Sequence, residues 1–122
     1  MPRTDSQILG ALGEQRALEH YTHLGFRVLD RNCRTQAGEI DLVVTDGDTT
    51  VFAEVKTRRS GGLDPLLSLT AAKRRRMRTL ARSWLLEHPT RPRTEHVRID
   101  AVTVVLDRDD RLVALEQFED VA

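Results

Sequence analysis

The sequence has a single cysteine, few aromatic residues and no long apolar run. Cys33 alone can neither close an internal disulfide nor supply a cysteine-rich metal site. Disulfide scaffolds and zinc fingers are thereby excluded, and any metal is expected to have oxygen ligands. No stretch approaches the roughly 18 consecutive apolar residues of a membrane span, and the first residues lack the apolar region of a secretory signal. We therefore expect a cytoplasmic protein that does not bind membranes.

Positive charge is scarce outside one segment of the chain. The formal net charge is zero, yet residues 56–98 carry 12 basic and 3 acidic side chains, a net charge of +9, and both flanking segments are acidic. This segment contains the run Lys73-Arg-Arg-Arg-Met-Arg78. Such a block is typical of a face that binds a polyanion, although a solvated helix face has the same composition. At 122 residues the chain is expected to form one domain, residues 1–122, with a single core.

Hydrophobic periodicity and turn residues predict alternating helices and strands. The predicted elements are a helix that is capped at residues 4–6 and ends at Leu24 before Gly25, strands over 26–29, 38–44 and 49–56, a loop over 57–65, a helix over 66–87, and strands over 97–106 and 111–115. The order is αβββαβ with an additional strand. It predicts an α/β fold in which helices flank a mixed β-sheet.

Each predicted helix carries a charged side chain on its apolar stripe. In the first helix Glu14 lies among small and apolar residues on the face that a sheet would cover. In the second helix the stripe is Leu69, Met77, Leu80 and Trp84, and Lys73 falls on it. A stripe lysine either extends to water or, early in its helix, reaches a phosphate. The arginines of this helix at positions 75, 78 and 82 fall on the opposite face.

Acidic residues interrupt two strands that are otherwise apolar. A four-residue turn at 46–49 predicts hairpin partners whose numbers sum to 95, which places Asp41 opposite Glu54 and Glu39 opposite Lys56. Two carboxylates at that separation repel each other unless a proton or a cation lies between them. Mg²⁺ or Mn²⁺ fits this requirement, with Asp41, Glu54 and the backbone carbonyl of Val55 as ligands.

Neighbouring charged groups suit the same chemistry. Lys56 is placed to orient or deprotonate a water and to offset charge on a phosphate. Glu14 is placed to complete the site through a water or a second ion. The alternative is a set of ordinary ion pairs. For Glu39, pairing with Lys56 or with Arg34 is as compatible with the sequence as a catalytic role.

The same residues resemble a known family. Gly13-Glu14, Gly25, Arg31-Asn32, Gly38-Glu39-Ile40-Asp41-Leu42, the run from Phe52 to Arg58, Lys73 and Arg98-Ile99-Asp100 are similar to motifs of the YraN family of small bacterial proteins. That family resembles archaeal Holliday-junction resolvases and, through them, the PD-(D/E)xK nuclease superfamily. The resemblance implies a restriction-endonuclease-like αβββαβ core, with functional positions at Glu14, Asp41, Glu54 and Lys56. Asp41 follows Ile40 here, where the superfamily pattern has proline. Resolvases of this kind are dimers, so the resemblance implies a homodimer, for which Leu9 and Leu12, off the sheet-facing stripe, are candidates.

The leading hypothesis is a Mg²⁺- or Mn²⁺-dependent endonuclease that hydrolyses phosphodiester bonds in DNA, rather than RNA, including branched DNA. Contacts to the phosphate backbone, which carry little sequence information, are assigned to Arg58, Arg59, Lys73, Arg75, Arg78 and Arg82. Two alternatives stay open: a nucleic-acid-binding accessory module of the same fold without turnover, and a structural or protein-binding domain.

Overall fold

The computed structural model describes residues 2–62 and 68–122. Its elements are α1 (Asp5–His23), β1 (Arg27–Thr35), β2 (Gly38–Thr45), β3 (Thr49–Arg59), α2 (Ala71–Glu87), β4 (His96–Leu106) and β5 (Leu112–Phe118). The strands form one sheet in the order β1-β2-β3-β4-β5, antiparallel except for the parallel central pair β3 and β4. The predicted α/β fold with a mixed sheet is confirmed. Neither helix in the described ranges has the length and apolar character needed to cross a membrane.

The two helices cover opposite faces of the sheet. On one face, buried Ala17 and Tyr21 of α1 meet a layer that includes Leu42 and Val104. On the other face, α2 contributes buried residues to a second layer, namely Met77, Ala81 and Trp84. The central strands are thus covered on both sides, which explains why β3 and β4 consist of nearly continuous apolar residues.

The limits of α1 follow from its capping residues, as predicted. Thr4 accepts a hydrogen bond from the backbone N–H of Gln7 and completes a capping box, and Gly25 after the helix has φ of 95°. The prediction that Leu9 and Leu12 lie off the sheet-facing stripe was wrong. Both side chains pack against the core on the α1 side of the sheet, because the stripe that this helix buries is wider than the set of small residues indicates.

Several other boundaries differ from the prediction. β1 continues to Thr35 as an edge strand, and β5 continues to Phe118. Residues 57–59 belong to β3 rather than to a loop, because they pair in register with 104–106 of β4. The helix α2 begins at Ala71, where Thr70 accepts a hydrogen bond from the Lys73 backbone N–H, so Leu69 precedes the helix. The predicted loop over 60–65 and helix start at 66 fall partly on residues 63–67, outside the described residues.

A charged network is buried beside β4. Asp100 is fully buried, and its carboxylate accepts hydrogen bonds from the Tyr21 hydroxyl at 2.7 Å, from Arg98 Nε at 2.8 Å and from Gln117 Nε2 at 3.0 Å. The backbone N–H of Asp120 donates to the same carboxylate at 3.1 Å. This one side chain therefore joins α1, β4, β5 and the segment that follows β5.

Gly13 sets how closely α1 approaches the sheet. A Cβ atom at this position would lie 1.7 Å from Thr57 Oγ1 and 2.7 Å from Thr57 Cβ, so no rotation of the threonine side chain could make room. We expect Gly13→Ala to lower the free energy of unfolding by about 1–3 kcal/mol through overpacking. The measurement is urea denaturation followed by circular dichroism.

Gly10, one turn earlier in the same helix, is the matched control. Nothing lies within 4 Å of a Cβ built there, so Gly10→Ala should raise the free energy of unfolding, by up to about 1 kcal/mol, through helix propensity. If Gly13→Ala and Gly10→Ala changed the free energy of unfolding by the same amount and in the same direction, the close approach of α1 to β3 would be contradicted.

Candidate active site

The hairpin of β2 and β3 opens at its far end. The partners run from Thr45 with Thr50 to Leu42 with Ala53, and their numbers sum to the predicted value. The pairing then stops, while β2 continues alongside β1 and β3 alongside β4. The expected pairing of Asp41 with Glu54, and of Glu39 with Lys56, is therefore not formed in the ladder. We call this opening, formed by Asp41, Glu54 and Val55, the β2–β3 fork.

The Asp41 side chain lies within the fork and takes the place of a β2 backbone carbonyl as the acceptor for a β3 backbone N–H. Its Oδ2 accepts a hydrogen bond from the Val55 N–H at 2.8 Å. Because the N–H and C=O of one strand residue face the same neighbouring strand, the Val55 carbonyl is also directed to the open side. The fork thus combines a side-chain carboxylate and a main-chain oxygen.

A rotation of β2 explains why the hairpin opens at Asp41. In a regular strand residues 40 and 42 share a face, yet Ile40 packs on the α2 side and Leu42 on the α1 side. On the neighbouring strand β1, Asn32 has φ of 48°, and the residues on either side of it pair with Leu42 and Ile40. Both strands are therefore irregular at the level of Asp41, which permits its carboxylate to turn toward β3.

The fork opens into a cleft of about 200 Å³ between the sheet and α2. Glu54 and Lys73 meet there, with Nζ 3.4 Å from Oε2. That Glu54 oxygen is buried and accepts no aligned hydrogen bond, so the contact is an ion pair only. Glu39 lines the same cleft but binds Arg34 Nη2 at 2.8 Å, which confirms one of the two structural pairings predicted for it.

The carboxylates at this end of the molecule disfavour one another's ionised forms. Burial, and then the charges of Glu54 and Glu39, raise the pKa of Asp41, against the opposing effect of the Val55 hydrogen bond. Burial, followed by the charge of Asp41, raises the pKa of Glu14, which reaches this region from α1. The ionised site is therefore a source of instability that a bound cation would relieve.

The basic residues assigned from the sequence occupy three kinds of position. Lys56 is exposed on β3 and close enough to lower the pKa of Asp41. The outer-face arginines of α2, Arg75, Arg78 and Arg82, are exposed. Two others bind within the protein instead: Arg58 donates to the Arg59 carbonyl, and Arg59 donates to the Asp107 carbonyl and to the Asp110 carboxylate.

The sequence did not predict the partner of Lys73 or the part that Arg76 plays in lining the cleft. The signal for the first was present, because Lys73 lies on the apolar stripe of a helix and so had to point toward the sheet. Elsewhere, three side chains of types that can ligate a metal, Asp48, Glu95 and His96, have ligand atoms within 4.8 Å of one another. This group is exposed and lies at the start of β3, next to the β2–β3 turn, whereas the fork lies at the middle of β3.

Sequence comparisons agree on one family. A family model described as uncharacterised protein family UPF0102 matches residues 13–104. A UPF0102 protein of Corynebacterium efficiens is 43% identical over 120 residues, covering 98% of this chain and 95% of its own. UPF0102 proteins of Mycolicibacterium gilvum and Streptomyces griseus are 48% and 46% identical, each over more than four fifths of both chains. The resemblance to the YraN family is thus confirmed at the family level.

Proposed function

The chain belongs to the UPF0102 family, and we propose that it is a metal-dependent endonuclease of the PD-(D/E)xK superfamily that hydrolyses phosphodiester bonds in DNA, including branched DNA. One observation carries this proposal: the β2–β3 fork, where the Asp41 carboxylate replaces a backbone partner of Val55 beside a buried oxygen of Glu54 that accepts no hydrogen bond.

The residues of the fork fit a hard divalent cation. All the donors are oxygens, which Mg²⁺ and Mn²⁺ prefer. Glu54 Oε2 is buried and accepts no hydrogen bond, and the Lys73 ammonium lies 3.4 Å from it. A cation bound directly to this oxygen would compensate for its burial more fully. We assign the metal to Asp41, Glu54 and the Val55 carbonyl. Bound there, Mg²⁺ or Mn²⁺ supplies a Lewis acid and lowers the pKa of water.

The remaining residues hold the reactants in place. The ammonium of Lys56, two residues beyond Glu54 on β3, orients the attacking water and offsets the negative charge that grows on the phosphate. Glu14 accepts hydrogen bonds from water at the α1 side of the fork. The scissile phosphate lies in the cleft, and the neighbouring phosphates contact the exposed face of α2.

An accessory module that binds nucleic acid without cleaving it is the competing function. Titrating Mg²⁺ or Mn²⁺ while following both binding and strand scission separates the two functions. The nuclease proposal predicts scission of at least one of linear, nicked and four-way DNA substrates that depends on the divalent ion. Binding to all three without scission under every condition would leave the accessory function.

The exposed face of α2 should dominate the salt dependence of DNA binding. Replacing Arg75, Arg78 and Arg82 together by glutamine is expected to weaken binding similarly for all sequences. The slope of log K against log salt should become shallower by about 0.9 for each phosphate that the variant no longer neutralises. Fluorescence anisotropy between 50 mM and 200 mM salt, roughly the range in which such interactions weaken most visibly, measures this slope.

Arg93→Gln is the control for this variant. Arg93 is exposed on the connection between α2 and β4, at the other end of the sheet, and its removal should leave the slope nearly unchanged. An equal change from Arg93→Gln, or none from the triple variant, would contradict the assignment of this face to DNA.

A further inference from the structure

Lys73 occupies an electrostatically unfavourable place in its helix. It lies in the first turn of α2, where its backbone N–H is bound by the N-cap residue Thr70. This turn contains no acidic residue, although the positive end of the helix dipole favours acids and disfavours lysine there. The compensation comes from outside the helix, from the Glu54 carboxylate across the cleft at 3.4 Å.

The Lys73 ammonium and a divalent cation would compete for this oxygen. Mg²⁺ binds carboxylate oxygens at about 2.0–2.1 Å, so an ion on Glu54 Oε2 would lie within a few ångströms of the Nζ atom, which is 3.4 Å from the same oxygen. At such a separation the repulsion between the two cations is large in a partly buried site. The lysine side chain is 29% exposed and has four rotatable bonds, so it can turn toward solvent.

We propose that Lys73 is a resident counter-cation of the site: it neutralises Glu54 in the metal-free protein, competes with the divalent ion for Glu54 Oε2, and moves to the mouth of the cleft when the ion binds. There it lies beside Arg76, which lines the same cleft, and is positioned for the phosphate backbone. This inference rests on the metal site of the proposed function. It makes Lys73 a positioning residue that sets the metal affinity and couples binding of the metal to binding of DNA.

The test measures Mn²⁺ binding to the full chain by isothermal titration calorimetry, with no DNA present. All variants carry His96→Ala, which removes the exposed group formed with Asp48 and Glu95 as a competing ligand set. Lys73→Met is expected to lower the dissociation constant about fivefold or more, because a like charge close to the ion is removed. Lys73→Arg, which keeps the charge, should restore a dissociation constant within about twofold of the parent.

Arg76→Met is the matched control, since it removes one positive charge from the same cleft and helix without breaking the ion pair to Glu54. Its dissociation constant should change by less than about twofold. Unchanged or weaker binding in Lys73→Met, an equal gain in Arg76→Met, or no Mn²⁺ binding by any of these proteins would overturn the inference.

A second measurement covers the case in which Lys73→Met does not fold. In the wild-type protein, the side-chain NMR signals of Lys73 should shift during a Mg²⁺ titration, with the same midpoint as the backbone amide of Val55. Lys73 signals that stay fixed while Val55 shifts would overturn the inference. Tighter Mn²⁺ binding in Lys73→Met without cleavage by any variant would reject the nuclease and keep the competition. Cleavage by the wild type, together with an Mn²⁺ dissociation constant that Lys73→Met leaves unchanged, would keep the nuclease and reject the competition.

Discussion

Replacing Asp41 by alanine is expected to abolish DNA cleavage, with a loss of at least about 10²–10³-fold in rate, the scale of removing a group that stabilises charge in a transition state. Glu54→Ala should have the same effect, because these carboxylates are the two side-chain ligands assigned to the metal. DNA binding should be intact or tighter in both variants, since each removes a negative charge next to the phosphate. Gel-based cleavage with saturating Mn²⁺ and anisotropy on the same DNA measure the two effects.

Asp48→Asn is the matched control for these variants. Asp48 is an exposed carboxylate in the other group of possible metal ligands, just before the start of β3. Its replacement should leave the cleavage rate within about twofold, as is usual for surface changes remote from a site. Loss of cleavage in Asp48→Asn together with full activity in Asp41→Ala would move the site to the other end of the sheet. Cleavage that persists in both Asp41→Ala and Glu54→Ala would end the assignment of the metal.

Asp100→Ala is expected to lower the free energy of unfolding by about 3–5 kcal/mol, the cost of breaking a buried ion pair on one side. The substitution leaves the Arg98 guanidinium without its closest partner and the Tyr21 hydroxyl without its acceptor. It also removes the acceptor that holds the Asp120 backbone N–H. Chemical denaturation gives the free energy, and hydrogen exchange should show that the segment after β5 loses protection first.

Two further substitutions calibrate this prediction. Tyr21→Phe removes one hydrogen bond to the same carboxylate and should cost about 1.5–3 kcal/mol. Asp109→Ala removes an exposed carboxylate from the turn between β4 and β5 and should stay within about 0.5 kcal/mol. If Asp100→Ala lowered the free energy of unfolding no more than Asp109→Ala does, the buried network of Asp100 would not stabilise the fold.

Local patterns predicted the parts of the fold that depend on neighbouring residues. The turn after Thr45 fixed the register of the β2–β3 hairpin, because a short loop leaves one pairing that buries the apolar face. The limits of α1 followed from Thr4 and Gly25, whose capping functions require only adjacent backbone. These interactions involve residues a few positions apart, so the sequence contains them directly.

Contacts between distant segments account for the errors. Residues 57–59 read as a loop because they are polar, yet they form a strand through pairing with β4, about 47 positions later. The sequence pattern places Leu9 and Leu12 off the sheet-facing stripe because the width of that stripe depends on how close α1 lies to the sheet, which Gly13 determines. Neither effect has a local signature.

The sequence predicted only part of the candidate site, because the rest of the site depends on contacts between distant segments. Alternation along the strands brought Asp41 and Glu54 to one region, and the cleft contains both. Alternation could not reveal that β2 rotates at Asp41, because that irregularity involves the backbone of Asn32 on a neighbouring strand. The ion pair of Lys73 with Glu54 joins a helix to a strand across the cleft and likewise depends on tertiary structure.

The parallel pairing of β3 with β4 has a consequence for how the protein folds. The three-stranded meander β1–β3 contains only short-range contacts, whereas β4 must close a long chain segment before it pairs, and such non-local pairing is slow. Glu54 and Val55 lie beyond the last β2–β3 pair and are paired only with β4, so the fork should be completed only when β4 has joined the sheet. Pulsed amide exchange during refolding is expected to protect the β1–β2 and β2–β3 pairs first, and the Val55 amide only together with the amides of β4.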